Sequence, residues 1–164
     1  MSKKREIKLD EVDLEIIRRL ALTGREGIRE LARSLGKSPS TIIFRIRRLE
    51  EAGIIKGFTT LIDYRRLGYQ INALTLIQVD GAYIEKVEEM LAKEKNVRAV
   101  YDITGEYDIA IITTFKSIDD LDRFIKRLIK IPYVKRSMTS IAFRIVKETP
   151  HVEEFLELRR KLSS

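Results

Sequence analysis

Ser38-Pro-Ser-Thr-Ile-Ile-Phe-Arg-Ile-Arg-Arg-Leu-Glu-Glu-Ala-Gly53 is the stretch that organises this chain, with a start signal, a stop signal and an apolar stripe between them. Ser38 suits an N-cap, because its hydroxyl can accept a hydrogen bond from an unpaired first-turn amide. Pro39 suits the first helical position, where its missing N–H costs nothing. Gly53 suits a left-handed residue past the end. Ile42, Ile46 and Leu49 recur at helical spacing as one apolar stripe, with Ile43 on its flank. A turn of about 100° per residue puts Thr41, Phe44 and Arg48 roughly opposite, with Ser40, Arg45 and Arg47 on the sides. A helix that buries isoleucine and shows arginines, hydroxyls and one phenylalanine suits a DNA groove.

The flanking residues supply a context for that helix. Asp10 can cap a first helix with Val12 or Leu14, Ile16, Ile17 and Leu20 inward, acids in its first turn and arginines in its last. Ile28, Leu31, Ala32 and Leu35 mark a short second helix that ends at Gly36. Two short helices joined by a tight turn predict a helix-turn-helix over about residues 28–47. Ile54–Asp63, rich in β-branched residues and broken by Gly57, reads as a strand pair, a wing beside the helices.

Beyond a linker at residues 64–68 the signals alternate. Strands are expected over 69–79, 97–104, 107–115 and 134–146, with Gly105-Glu106 as a two-residue turn. Helices are expected around Ile84–Leu91 and after Ser117, the second opening with a cap at Ser117 and Asp120 three residues on. Strand, helix, strand, strand, helix, strand is the order of a ferredoxin-like βαββαβ unit. The fold class is therefore α+β. A winged helix-turn-helix domain occupies 1–63, a βαββαβ domain 69–149, and an amphipathic tail helix with Phe155, Leu158 and Leu162 occupies 150–164.

Charge divides the chain at the same place. Residues 1–66 hold 16 Lys and Arg against 10 Asp and Glu, and residues 67–164 hold 16 against 15. Only the first part is expected to meet a polyanion. The chain has no cysteine and one histidine, His151, so thiol chemistry is excluded and a metal site is not expected. No nucleophile–base pair or Gly-rich phosphate loop stands out, so no catalytic residue and no cofactor is assigned. No apolar run is long enough for a bilayer and no apolar signal region follows the basic start, which predicts a cytoplasmic protein without a membrane partner. Scarce Asn and Gln beside abundant Ile, Lys, Arg and Glu suggest a thermophilic source.

Two candidate sites follow. Ser40, Thr41, Phe44, Arg45 and Arg48 are placed in or near the major groove, where arginine can grip guanine and Phe44 can lie against a thymine methyl. Ser38 opens the helix, and Lys37, Arg47 and Lys56 are placed on phosphates. On this reading Arg48→Ala weakens DNA binding with little change in melting temperature. The second candidate is Thr104-Gly105-Glu106-Tyr107-Asp108. Amides around Gly105 would take a carboxylate and Asp108 an ammonium, with Thr139 and Ser140 as further polar partners from the same or a neighbouring subunit. A tight hairpin alone also accounts for Gly105.

The chain resembles the Lrp/AsnC (feast/famine) transcription regulators over nearly its whole length. The resemblance lies in Leu9-Asp-x-x-Asp-x-x-Ile-Ile, Arg29-Glu-Leu-Ala, the Ser38–Phe58 segment and the Thr104–Asp108 turn. It implies an archaeal, thermophilic regulator with a RAM-type second domain through which it forms a homodimer, assembling further to a tetramer or octamer. It also implies a free amino acid as effector and double-stranded DNA as partner. Phe44 departs from the polar or basic residue expected at its position. An architectural DNA-wrapping protein without effector and an amino-acid-sensing subunit of an enzyme are the alternatives.

Overall fold

The computed structural model describes residues 7–152 and Phe155. The chain forms two compact units, 62–147 and a second made from 1–61 with 148–164. Leu158, Leu162 and the basic residues of the first six positions lie outside the described residues.

The first unit packs three helices, α1 (Glu11–Thr23), α2 (Ile28–Ser34) and α3 (Pro39–Glu51). A capping box opens α1: the Asp10 carboxylate accepts the Asp13 amide at 2.9 Å and the Asp13 carboxylate accepts the Asp10 amide at 3.2 Å. The helix runs on to Thr23, so Arg18 and Arg19 fall in its middle and not, as expected, in its last turn. Ile16, Leu31, Ala32, Ile42, Ile46 and Leu49 form the buried core, with Leu9, Val12, Leu20, Ile28 and Leu35 packed around it. Gly53, at φ 69°, closes α3 in a left-handed cap. Its amide bonds Glu50 O and the Ile54 amide bonds Leu49 O, the pairing that satisfies the last carbonyls of a helix.

The expected wing is not a strand pair. Residues 54–63 form no strand, and the Ile54 and Ile55 amides both turn back to Leu49 O, ending the helix rather than starting a ladder. Residues rich in β-propensity need a partner edge, and this stretch has none in one chain.

The second unit is a four-stranded antiparallel sheet in the order β2-β3-β1-β4. Its elements run β1 (Ile71–Val79), α4 (Ile84–Leu91), β2 (Val97–Asp102), β3 (Ile109–Phe115), α5 (Ile118–Leu128) and β4 (Val134–Ile141). Alternation along the strands sends Ala73, Ile77, Val79, Ile109, Ile111 and Phe115 to one face, where Val87, Leu91, Leu121, Phe124 and Leu128 of the helices cover them. Ser117 caps α5, accepting the Asp120 amide at 3.2 Å while its hydroxyl donates to the Asp120 carboxylate at 2.8 Å. All four expected strands are shorter than read: β1 starts at Ile71 and β2 ends at Asp102. β3 starts at Ile109, which leaves a loop over 103–108 instead of a two-residue turn, and β4 ends at Ile141 instead of Val146.

Candidate nucleic-acid interface

Ser38 starts α3 as its composition demands: its hydroxyl accepts the Thr41 amide at 3.2 Å. The same oxygen lies 2.9 Å from the Ser40 hydroxyl and 2.8 Å from that of Thr41, so three hydroxyls cluster at the helix N-terminus. That end of a helix presents unpaired N–H groups and partial positive charge, which suit a phosphate oxygen.

The buried side of α3 is Ile42, Ile46 and Leu49. Ile43, read as the flank of the apolar stripe, is 40% exposed, and Phe44 is 67% exposed. Counting Ile43 as apolar flank turns the inferred outward axis toward Thr41 and Arg48. With Ile43 exposed, the axis opposite the core passes through Ser40, Phe44 and Arg47, and all three are exposed. Lys37 and Lys56 are exposed as well. Thr41 is half-buried.

Arg45 and Arg48, expected at the groove, both donate to acids at the start of α1. Arg45 Nη1 donates to both carboxylate oxygens of Asp10 at 2.8 and 2.7 Å, and to Asp13 at 2.8 Å. Arg48 donates to the other oxygen of Asp13. The Asp13 side chain has 0% exposure, against 20% for that of Arg45 and 34% for that of Arg48. A buried carboxylate needs charge compensation and hydrogen bonds, and the two arginines are the cations within reach. The Arg45 guanidinium pulls the Asp10 carboxyl down to about 2, and Asp10 and Asp13 push Arg45 further above its usual range. These arginines clamp α3 to the start of α1, across more than thirty residues of chain.

The Thr104–Asp108 segment is also organised differently from expectation. The Ile103 amide bonds Asp108 O at 2.8 Å across the loop, and Gly105 sits at φ 120°, a backbone that L side chains resist. Asp108 is committed to the backbone: its Oδ2 accepts the Val79 amide at 2.7 Å, where the β1–β4 register shifts. That bond occupies one of the two oxygens proposed for an ammonium. The β4 residue at the loop is Arg136, which the sequence reading missed. Its guanidinium pairs with Glu106 and lies 4.9 Å from the Tyr107 ring centre, while Gln78 Nε2 donates to Glu106 O at 3.3 Å. An arginine inside a strand next to a glutamine is a signal that pattern reading passes over. Thr139 and Ser140 stand three and four residues further along β4, opposite Thr75 and Leu74. At ~3.3 Å per residue that is roughly 10 Å or more from Arg136. They also point to opposite faces, and Thr139 Oγ1 is 3.0 Å from Thr75 Oγ1. One chain therefore does not bring them to the loop.

A three-helix head with a capped, exposed third helix, in a chain with a separate ferredoxin-like sheet unit, is the architecture of a DNA-binding regulator. Comparison with known proteins gives the same class. Residues 9–56 match the winged helix-turn-helix DNA-binding family, and residues 72–152 match the Lrp/AsnC ligand binding domain. An uncharacterised HTH-type transcriptional regulator of Pyrococcus abyssi is 41% identical, over 88% of this chain and 99% of its own length. The structure of Escherichia coli AsnC superposes with a TM-score of 0.79 at 27% identity, covering 88% of this chain and 99% of the other. The Mycobacterium tuberculosis leucine response regulatory protein does so with a TM-score of 0.79 at 26% identity, over 85% and 96%. The chain belongs to the Lrp/AsnC family of DNA-binding transcription regulators, and an archaeal origin fits its Pyrococcus relative. Among the described residues no helix is long and apolar enough to cross a membrane.

Proposed function

We propose that this regulator binds specific DNA sites with α3 and that an amino-acid effector tunes the assembly that presents α3. The observation carrying the first half is the outward stripe Ser40, Phe44 and Arg47 beside exposed Lys37, on a helix clamped from behind. Phosphate contacts fall to Lys37, Arg47, Lys56 and the hydroxyl cluster around Ser38, and base contacts to Ser40 and Phe44. Two-fold pairing of the sheet units would present two such helices about one DNA turn apart and favour a palindromic site.

The pairing surface is the sheet face without helices. Leu74 lies opposite Ile112, Leu76 lies opposite Met138, and Leu74 and Met138 are exposed. Apolar strand residues left open in this way suit a second copy of the same face. The effector is placed at the Thr104–Tyr107 loop, where a carboxylate could pair with Arg136 in exchange for Glu106. The name of the mycobacterial relative, a leucine response protein, agrees with an amino acid in that role. In the cytoplasm, where the DNA of an archaeal cell lies, such a protein would couple amino-acid supply to transcription.

The test is the affinity ratio between a selected duplex and random DNA at one fixed salt, repeated with each of the twenty amino acids while light scattering reports particle mass. A ratio of about a thousand or more is expected for specific recognition. One amino acid should shift both readings. A ratio near one supports the architectural alternative, and DNA affinity and mass that ignore every amino acid remove the effector.

A further inference from the structure

We infer that α3 reads thymine: Ile43 and Phe44 together receive the C5-methyl groups of thymines in the major groove, so the sites this protein prefers contain A·T pairs at those positions. The inference rests on the DNA-reading role of α3 and states what that helix recognises. Its starting point is what the helix has given away. The side chains best suited to grip guanine are arginines, whose paired donors match O6 and N7. Of the three on α3, Arg45 and Arg48 donate to Asp10 and Asp13. A fully buried Asp13 would be left uncompensated if they swung outward. Arg47, on the outward stripe, is exposed and pairs with no acid among the described residues, which leaves it free to take a phosphate.

What remains at the centre of the exposed surface is apolar. Phe44 is 67% exposed and Ile43 40%, adjacent on a helix whose other isoleucines are buried. An exposed aromatic beside an exposed isoleucine, with Ser40 one turn before and Arg47 one turn after, sets an apolar centre between a hydroxyl and a cation. The major groove offers one apolar group, the thymine methyl. Ser40, one turn before Phe44, is placed to donate to or accept from a neighbouring base edge.

The experiment leaves the protein unaltered at first. The full-length protein is used to select its preferred duplex from a random library, and binding is then measured at fixed salt with each thymine replaced in turn by deoxyuridine, which lacks only the methyl. Binding is expected to weaken about fourfold at each contacted thymine, the worth of one buried carbon. Phe44→Ala and Ile43→Ala, checked for an unchanged melting temperature, should each abolish part of the thymine–uracil difference while leaving the salt dependence of binding as it was. Retention of DNA with no thymine–uracil difference at any position overturns this inference and leaves the DNA-reading role standing. A difference that survives both substitutions also overturns it. Failure to retain any duplex at moderate salt removes the DNA-reading role itself, and this inference with it.

Discussion

Asp13 shows at the scale of one residue why charge on a helix is not the same as charge offered to a ligand. In sequence it is one of two acids in the first turn of α1, with an evident role near the helix N-terminus. In the fold its carboxylate is buried and answers two arginines of α3. Asp13→Asn removes the carboxylate that Arg48 answers and leaves Arg45 with Asp10 alone, and should cost about 2 kcal/mol in denaturant unfolding, the worth of hydrogen bonds to a charged group. Arg48→Ala, expected from the sequence to leave the melting temperature alone, should lower it by several degrees, because it removes one of Asp13's two cations. A fall in DNA affinity without any thermal effect would restore the sequence reading. Asp10 adds an acid-range signature. Its carboxyl is held at about 2 against an ordinary 3.8, so it contributes stability above pH 4 that is lost as pH falls toward 2. Asp10→Asn should flatten that part of the acid unfolding curve, measured by circular dichroism, and an unchanged curve would mean the Arg45 bond carries no weight.

At the scale of the element, caps and cores were readable and partners were not. Ser38, Pro39 and Gly53 bound α3 as the sequence implies, because caps depend on residues a few positions apart. Ile42, Ile46 and Leu49 face inward because burial follows a 3.6-residue period. Ile43 breaks that logic: it is apolar, lies beside the stripe and is exposed, and it alone turned the inferred DNA face by a fraction of a turn. The wing and the Gly105 turn failed for a related reason. β-Propensity at Ile54–Asp63 and a glycine at 105 say what backbone is tolerated, not which edge it meets. Arg136 was illegible because its contacts with Glu106 and Tyr107 join residues about thirty apart. Ser38→Ala should destabilise the first unit by about 1 kcal/mol in thermal unfolding, the usual worth of an N-cap. A larger loss confined to DNA affinity would point instead to a phosphate contact by that hydroxyl.

At the scale of the whole molecule, the excess positive charge and the exposed sheet face divide the work. The first 66 residues hold nearly all of the net charge, while the second unit carries an apolar face with Leu74 and Met138 exposed. On the proposed function the head meets the polyanion and the sheet sets how many heads act together. Replacing Met138 by Lys should therefore lower the particle mass in light scattering and weaken binding to a palindromic duplex more than to a single half-site. Unchanged mass would show that the sheet face is not the pairing surface. The central claim is that α3 meets DNA through Ser40, Phe44 and Arg47 while Arg45 and Arg48 serve the fold. It is tested most directly by the slope of log K against log salt on one duplex. Arg47→Gln is predicted to make the slope shallower by about one per subunit, the release of one phosphate-bound counterion, and Arg48→Gln to leave it unchanged. A shallower slope for Arg48→Gln together with an unchanged slope for Arg47→Gln would contradict the account.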